Sequence, residues 1–249
     1  MNAHTIVSLA SVLVLVGVHV TTAYTGSWKG PWRNKFLSAA TGVSVAYVVM
    51  QLLPELSRTD ATIRTAARSL LPFFERHAYF ITVVGIIAFY ANSHHITMSR
   101  LSRKSSGLGD SADRRAFVTS MVLNGAMNFM VAYTLGDPND TEFRPIALFV
   151  IAMALHYFVA DHSMHSNYAD EYQRVGRWVL VAALLVGWAA GVAFAIPATA
   201  LALLVAFFAG GVLVTVLSHE LTAGPERSVG AFAGGAIVFA VLLMGLRTG

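Results

Sequence analysis

Cysteine is missing from the 249-residue chain. Its absence removes any disulfide framework and any thiolate metal site, so a bound metal would fall to histidine, carboxylate, amide or methionine. Charge is scarce as well. Asp, Glu, Lys and Arg make up 12% of the residues, against about 25% in an ordinary soluble domain. So little charge cannot shield from water a chain that is 56% hydrophobic, with a mean hydropathy of +0.62. The net charge of +4 does not mark a nucleic-acid partner either. The basic residues fall in short segments between apolar runs, without the stripe of interleaved aromatics that such a face would carry. They are placed as Lys and Arg are in the cytoplasmic loops of membrane proteins.

What the sequence does have is long apolar runs. A span needs about 20 mostly apolar residues, because a helix rises about 1.5 Å per residue across a hydrocarbon core of about 30 Å. Runs of that kind lie near 4–24, 36–56, 72–96, 116–136, 145–167, 177–196, 198–218 and 229–246. The first, MNAHTIVSLASVLV onward, lacks a basic leading segment and outlasts a signal peptide's apolar stretch, so it reads as a retained helix. These runs predict an all-α polytopic membrane protein: one transmembrane domain over 1–249, an eight-helix bundle, in the cell (inner) membrane and in contact with its lipid.

Eleven Lys and Arg fall in the loops after odd-numbered helices and six in the others, which places both termini outside the cytoplasm. A cytoplasmic loop is expected at about 97–115, where RLSRKSSGLGDSADRR reads as flexible. In the outer connection 57–71, ATIRTAARSL sets Arg64 and Arg68 on one face, as a helix lying at the headgroups would. The glycines and alanines of helices 6 to 8 read as close-packing faces. Trp28, Trp32 and Trp178 read as interfacial anchors and Trp188 as packing inside helix 6.

Polar side chains well inside a span cost a few kcal/mol or more and need a reason. They are few: Gln51 and Glu55 around Pro54 in helix 2, Asn124 and Asn128 in helix 4, and His156, Asp161, His162 and His165 in LHYFVADHSMH of helix 5. Asn92, His94 and His95 close helix 3, and His219 and Glu220 close helix 7, where solvated or capping roles are expected. At about 100° per residue, Asn124 and Asn128 share a face, as do Tyr157, Asp161 and His165, whereas His156 lies well round from Asp161. Asp161 is the strongest single signal, because an isolated carboxylate at that depth needs a proton, a cation or a donor. Imidazole together with carboxylate suits zinc, iron or manganese better than calcium or magnesium. The residues alone imply an intramembrane cation or proton site between helices 4 and 5; for the two asparagines, interhelical hydrogen bonding is the competing role.

The order of the motifs carries a resemblance. TGVSVAYVVMQLLPEL resembles the second helix of the ZIP (Zrt/Irt-like) metal transporters, which ends His-Leu-Leu-Pro-Glu; Gln51 replaces the histidine, and Leu52, Leu53, Pro54 and Glu55 are kept. AFFAGGVLVTVLSHEL is similar to the penultimate ZIP helix without its Pro-Glu ending. The resemblance implies a ZIP-type bundle that carries metal between helices 4 and 5. Laid on the family's helix 4 motif, Asn124 stands at its His and Asn128 at its Asp, with Gly125 and Phe129 at its Asn and Gly. On the helix 5 motif His156 is kept, Tyr157 replaces a Glu, Ala160 stands at the second His and Asp161 at the last Glu. Two of the usual carboxylates are therefore gone, leaving a thinner and less anionic set. His162 and His165 either relay a cation onward from Asp161 or cap the helix end. Family analogy also implies a homodimer and inward movement.

Three functions follow. The first is transport of a divalent cation, zinc or iron, as cargo, with no prosthetic group and no enzymatic step; the metal would meet His156, Asp161, Asn124 and Asn128. The second is a ZIP-like protein that has lost transport and serves as sensor, subunit or scaffold. The third, an intramembrane metal hydrolase on Asp161, His162 and His165, lacks a nucleophile and a separate base. A retinal-binding pump is disfavoured because Lys29, Lys35 and Lys104 lie outside the spans.

Overall fold

A computed structural model describes residues 3–22, 24, 30–54, 56–57, 77–137, 146–221 and 228–245, without the side chains of 77, 169 and 219–221. Among the described residues there are eight α-helices and no strand. They are α1 (Ala3–Thr22), α2 (Pro31–Tyr47), α3 (His77–Ser105), α4 (Arg114–Gly136), α5 (Ile146–Glu171), α6 (Arg177–Ala193), α7 (Ala198–Leu221) and α8 (Val229–Gly245). Single π-helical turns extend α2 over Val48–Leu52 and join α5 to α6 over Tyr172–Gly176. The first of these comes just before Pro54, whose ring cannot sit against an ordinary helical carbonyl four residues back. Among the described residues seven helical stretches are long and apolar enough to cross a membrane, and α8 is an apolar helix of 17 residues. The chain is an integral membrane protein.

The chain divides into two compact units. One comprises Met1–Arg33 and Ala91–Phe194, and so holds α1, the end of α3, α4, α5 and α6. The other comprises Asn34–Tyr90 and Ala195–Gly249.

In the first unit, α1 is polar on its protein-facing side. Ser8, Ser11, His19 and Thr22 are buried with Val12 and Leu15, while Ile6, Val7, Leu13 and Val14 are exposed. That reverses a soluble helix, as expected where the surroundings are hydrocarbon. The hydroxyls of Ser11 and Thr22 donate to carbonyls one turn back, at 2.8 Å each, so they need no outside partner. Trp188 Nε1 donates to Ser8 Oγ at 3.0 Å and ties α6 to α1. The helices α4 and α6 meet backbone to backbone: a Cβ on Gly187 would strike the carbonyl oxygen of Phe129, and one on Gly191 that of Tyr133. In the second unit, Gly85 faces the Phe207 carbonyl and Gly235 the Ala39 carbonyl in the same way. Of the glycines of α6 to α8, Gly187, Gly191, Gly210, Gly211 and Gly235 are packing positions, as their composition implied, whereas Gly230, Gly234 and Gly245 meet nothing within 4 Å.

The loop expected at about 97–115 is shorter than its composition suggests. Helix α3 continues through RLSRKS to Ser105, because Arg, Leu and Lys are good helix formers wherever nothing breaks the ladder. It stops at Gly107, whose φ of +71° suits glycine, and the 108→103 and 107→104 backbone bonds close its last turn. The segment 106–113 is then pinned. Arg100 donates to Asp110 at 2.9 and 3.1 Å and to Asn167 Oδ1 at 2.9 Å. The Asp113 amide donates to Ser99 Oγ at 2.8 Å, and the Ala112 amide to the Asn167 carbonyl at 3.0 Å. The ATIRTAARSL segment and Trp28 lie outside the described residues.

Asp113 caps α4, accepting from the Ala116 amide at 2.8 Å, and that bond holds its carboxyl below the usual carboxylate range. A lowered native value means the stabilisation is complete above the ordinary value and is lost as pH falls through the native one. Asp113→Ala is expected to cost about 1 kcal/mol at neutral pH. Asp113→Asn keeps the cap oxygen and should flatten the acid limb of stability, which thermal unfolding across the carboxylate range would measure.

Candidate functional site

Three helices of the first unit converge on one buried side chain. His19 of α1 is 1% exposed; its Nδ1 lies 2.7 Å from Asp161 Oδ2 on α5, and its Nε2 lies 2.8 Å from Asn128 Oδ1 on α4. The imidazole stacks on Tyr157, with ring centroids 5.0 Å apart and 28° between planes. Each partner is placed by helix period. Tyr157 and Asp161 are one turn apart on α5, and Asn124 and Asn128 one turn apart on α4.

The hydrogen bonds fix the protons. Asn128 Nδ2 donates to the Asn124 carbonyl at 2.8 Å, so the amide oxygen is the end that faces His19, and His19 Nε2 must carry hydrogen. One further proton then lies between Nδ1 and the Asp161 carboxylate. Whichever atom holds it, the pair has no net charge, and that neutrality is what makes the pair tolerable inside a span. The hydroxyls of Tyr157 and Tyr172 are buried without a hydrogen bond.

Of the residues singled out in the sequence, Asn128 and Asp161 are brought together through His19, and Asn124 joins them through its backbone carbonyl. Asn124 Nδ2 donates to the Ser120 carbonyl at 2.9 Å, so both asparagine amides are engaged with backbone one turn back. His156 is fully buried, its ring 5.9 Å from that of Tyr157. His162 is half-buried further along α5; His165, also half-buried, meets the Tyr172 ring edge-on at 6.4 Å. Gln51 lies in the π turn of the other unit, and Glu55 lies outside the described residues, as do the side chains of His219 and Glu220. His94 and His95 are exposed. Among the described residues no three of His, Asp or Glu are grouped so as to hold a metal.

His19 is the residue that sequence reasoning passed over. Its signal was available: an ionisable residue inside the first apolar run, in VLVGVHVTT, is by default a functional position. No protein-family model matches the chain, and comparison with curated proteins finds no match.

Proposed function

We propose that the chain is a membrane transporter of a divalent cation, zinc or iron, with Asp161 as its principal ligand. The observation that carries this reading is the burial of Asp161, 1% exposed in a helix of membrane-spanning length, beside His19 and Asn128 from two other helices. An apolar residue in that position would be easier to keep folded, so a retained carboxylate argues for binding charge. Carboxylate and imidazole are the donors that zinc and ferrous iron prefer. The ZIP resemblance of the QLLPEL segment supports the same class, and would give outward-facing termini in the cell membrane and a homodimer.

In this arrangement His19 occupies Asp161 Oδ2. A cation takes that oxygen when His19 yields it, and metal ligands must in any case be deprotonated. His156, one helical face away, and the amide oxygen of Asn128 are the next donors. The pair and its partners all lie within one compact unit. Relative movement of two such bodies is the usual basis of alternating access.

One observation favours a second reading, a non-transporting membrane scaffold: both asparagine amides bond to backbone carbonyls one turn back. Zinc and ferrous iron uptake into proteoliposomes separates the two. Saturable uptake that falls to the empty-liposome level in a His156→Ala, Asp161→Ala double variant is the expected result. Uptake by the native chain no faster than empty liposomes would retire transport in favour of the scaffold.

A further inference from the structure

We propose that Tyr168, latched to Ser120, is the gate between the Asp161 site and the end of α4 and α5 nearest the 106–113 segment. This rests on the reading above only in that the site exchanges its occupant with water.

The polar residues of the first unit do not stop at Asn128. Ser120, Asn124 and Asn128 follow one another at intervals of four on α4, and all three are buried. Asp161, His165 and Tyr168 follow at intervals of four and three on α5, which sets them on one face up to the kink at Tyr168. Two polar stripes thus run together away from the His19–Asp161 pair. They join where the Tyr168 hydroxyl meets Ser120 Oγ at 3.0 Å. Ser120 is also bonded to Asn92 of α3, at 3.1 Å from Nδ2 and 3.3 Å to Oδ1, so the latch draws on three helices.

The packing around the latch is apolar. Phe117 meets the Tyr168 ring edge-on at 5.3 Å, and Met121, Met164 and Tyr172 pack with Tyr168 in one buried cluster. An apolar cluster of this kind blocks water and ions. It lies about 10 Å along α5 from Asp161, at seven residues and 1.5 Å each.

The backbone is irregular at the same point. Tyr168 has φ −139° and ψ 19° within α5, and the π turn Tyr172–Gly176 begins four residues later. Kinks and π turns let a helix end change direction without unravelling. The neighbour of Tyr168, Asn167, is held by Arg100 and by the Ala112 amide, so a shift of the 106–113 segment pulls directly on the residue beside the latch. A tyrosine kept only for packing would not need its hydroxyl matched to a serine that is itself bonded to an asparagine on a third helix.

The absence of cysteine makes the test direct. Asn124→Cys puts a lone thiol on the Asp161 side of the latch, and its labelling by a charged methanethiosulfonate is followed in lipid nanodiscs, with no metal present. Adding Tyr168→Phe, which breaks the latch but keeps the ring, is expected to raise the labelling rate about threefold. Adding Tyr168→Ala, which also opens the apolar cluster, is expected to raise it tenfold or more. Tyr133→Phe is the control, since its hydroxyl bonds Phe194 toward the other end of α4; its rate should be unchanged. Equal rates in all four proteins would overturn the gate, as would a rise in Tyr133→Phe matching that of Tyr168→Phe, which would mean general loosening. Because labelling needs no metal, a changed rate without uptake would keep the gate and discard zinc or iron as cargo; uptake with unchanged labelling would do the reverse.

Discussion

His19→Ala is expected to lower the thermal midpoint in detergent by about 10 °C, and Asp161→Ala added to it is expected to restore part of that loss. His19 supplies the proton that neutralises Asp161 and the donor that satisfies Asn128. Removing it leaves a buried carboxylate and a buried amide oxygen without donors. Breaking one side of a buried pair costs about 3–5 kcal/mol, and each kcal/mol moves the midpoint by about 2–4 °C in a chain of this size. The double variant removes the carboxylate along with its partner, so only the cavity and the Asn128 oxygen remain uncompensated. The coupling between the two positions is then the difference between the summed single losses and the double loss. Additive losses would show that the 2.7 Å contact does not couple the two residues in the membrane, and the account of a neutral shared-proton pair would fall with it.

The second large effect is steric. Gly187→Ala is expected to destabilise the chain by about 3 kcal/mol and to cut uptake further than the lost folded fraction explains. The added methyl meets the Phe129 carbonyl oxygen, which belongs to a backbone rather than to a side chain that can turn aside. The helices must separate, and Phe129 is the residue after Asn128, so the separation draws the Asn128 oxygen off His19. Gly125→Ala is the matched comparison. It lies in the same helix α4 one residue from Asn124, and a Cβ there meets nothing within 4 Å. Relief of glycine's conformational freedom should leave it equal in stability to the native chain or better by up to about 1 kcal/mol. If thermal unfolding ranks the two substitutions alike, close backbone approach is not what holds α4 to α6.

The bundle was legible because lipid leaves little choice: a run of twenty apolar residues has few other structures open to it. The same rule misleads at span ends, where polar composition says nothing about helicity. Thus RLSRKS looks like loop and continues α3 to Ser105, and the true stop is set by the backbone conformation of Gly107. The candidate site was legible within a helix and illegible between helices. Spacing alone puts Asn124 beside Asn128, and Asp161 on one face with Tyr157 and His165. Nothing local joins Asp161 to a histidine 142 positions earlier. The family pattern directed attention to helices 4 and 5 and away from α1. Division of the chain into two units cuts across sequence order, and no composition shift announces it.

The distance in sequence between His19 and Asp161 also sets an order in time. A ribosome adding about 5–20 residues each second makes His19 roughly seven to thirty seconds before Asp161, given their separation of 142 residues. For that interval α1 waits in or near the bilayer with an unmatched imidazole. An ordinary imidazole is mostly neutral at pH 7 already, whereas neutralising an ordinary carboxylate there costs about 4 kcal/mol. The member of the pair that waits is the one that waits at less cost, and the carboxylate enters the membrane only after its proton-sharing partner has been made.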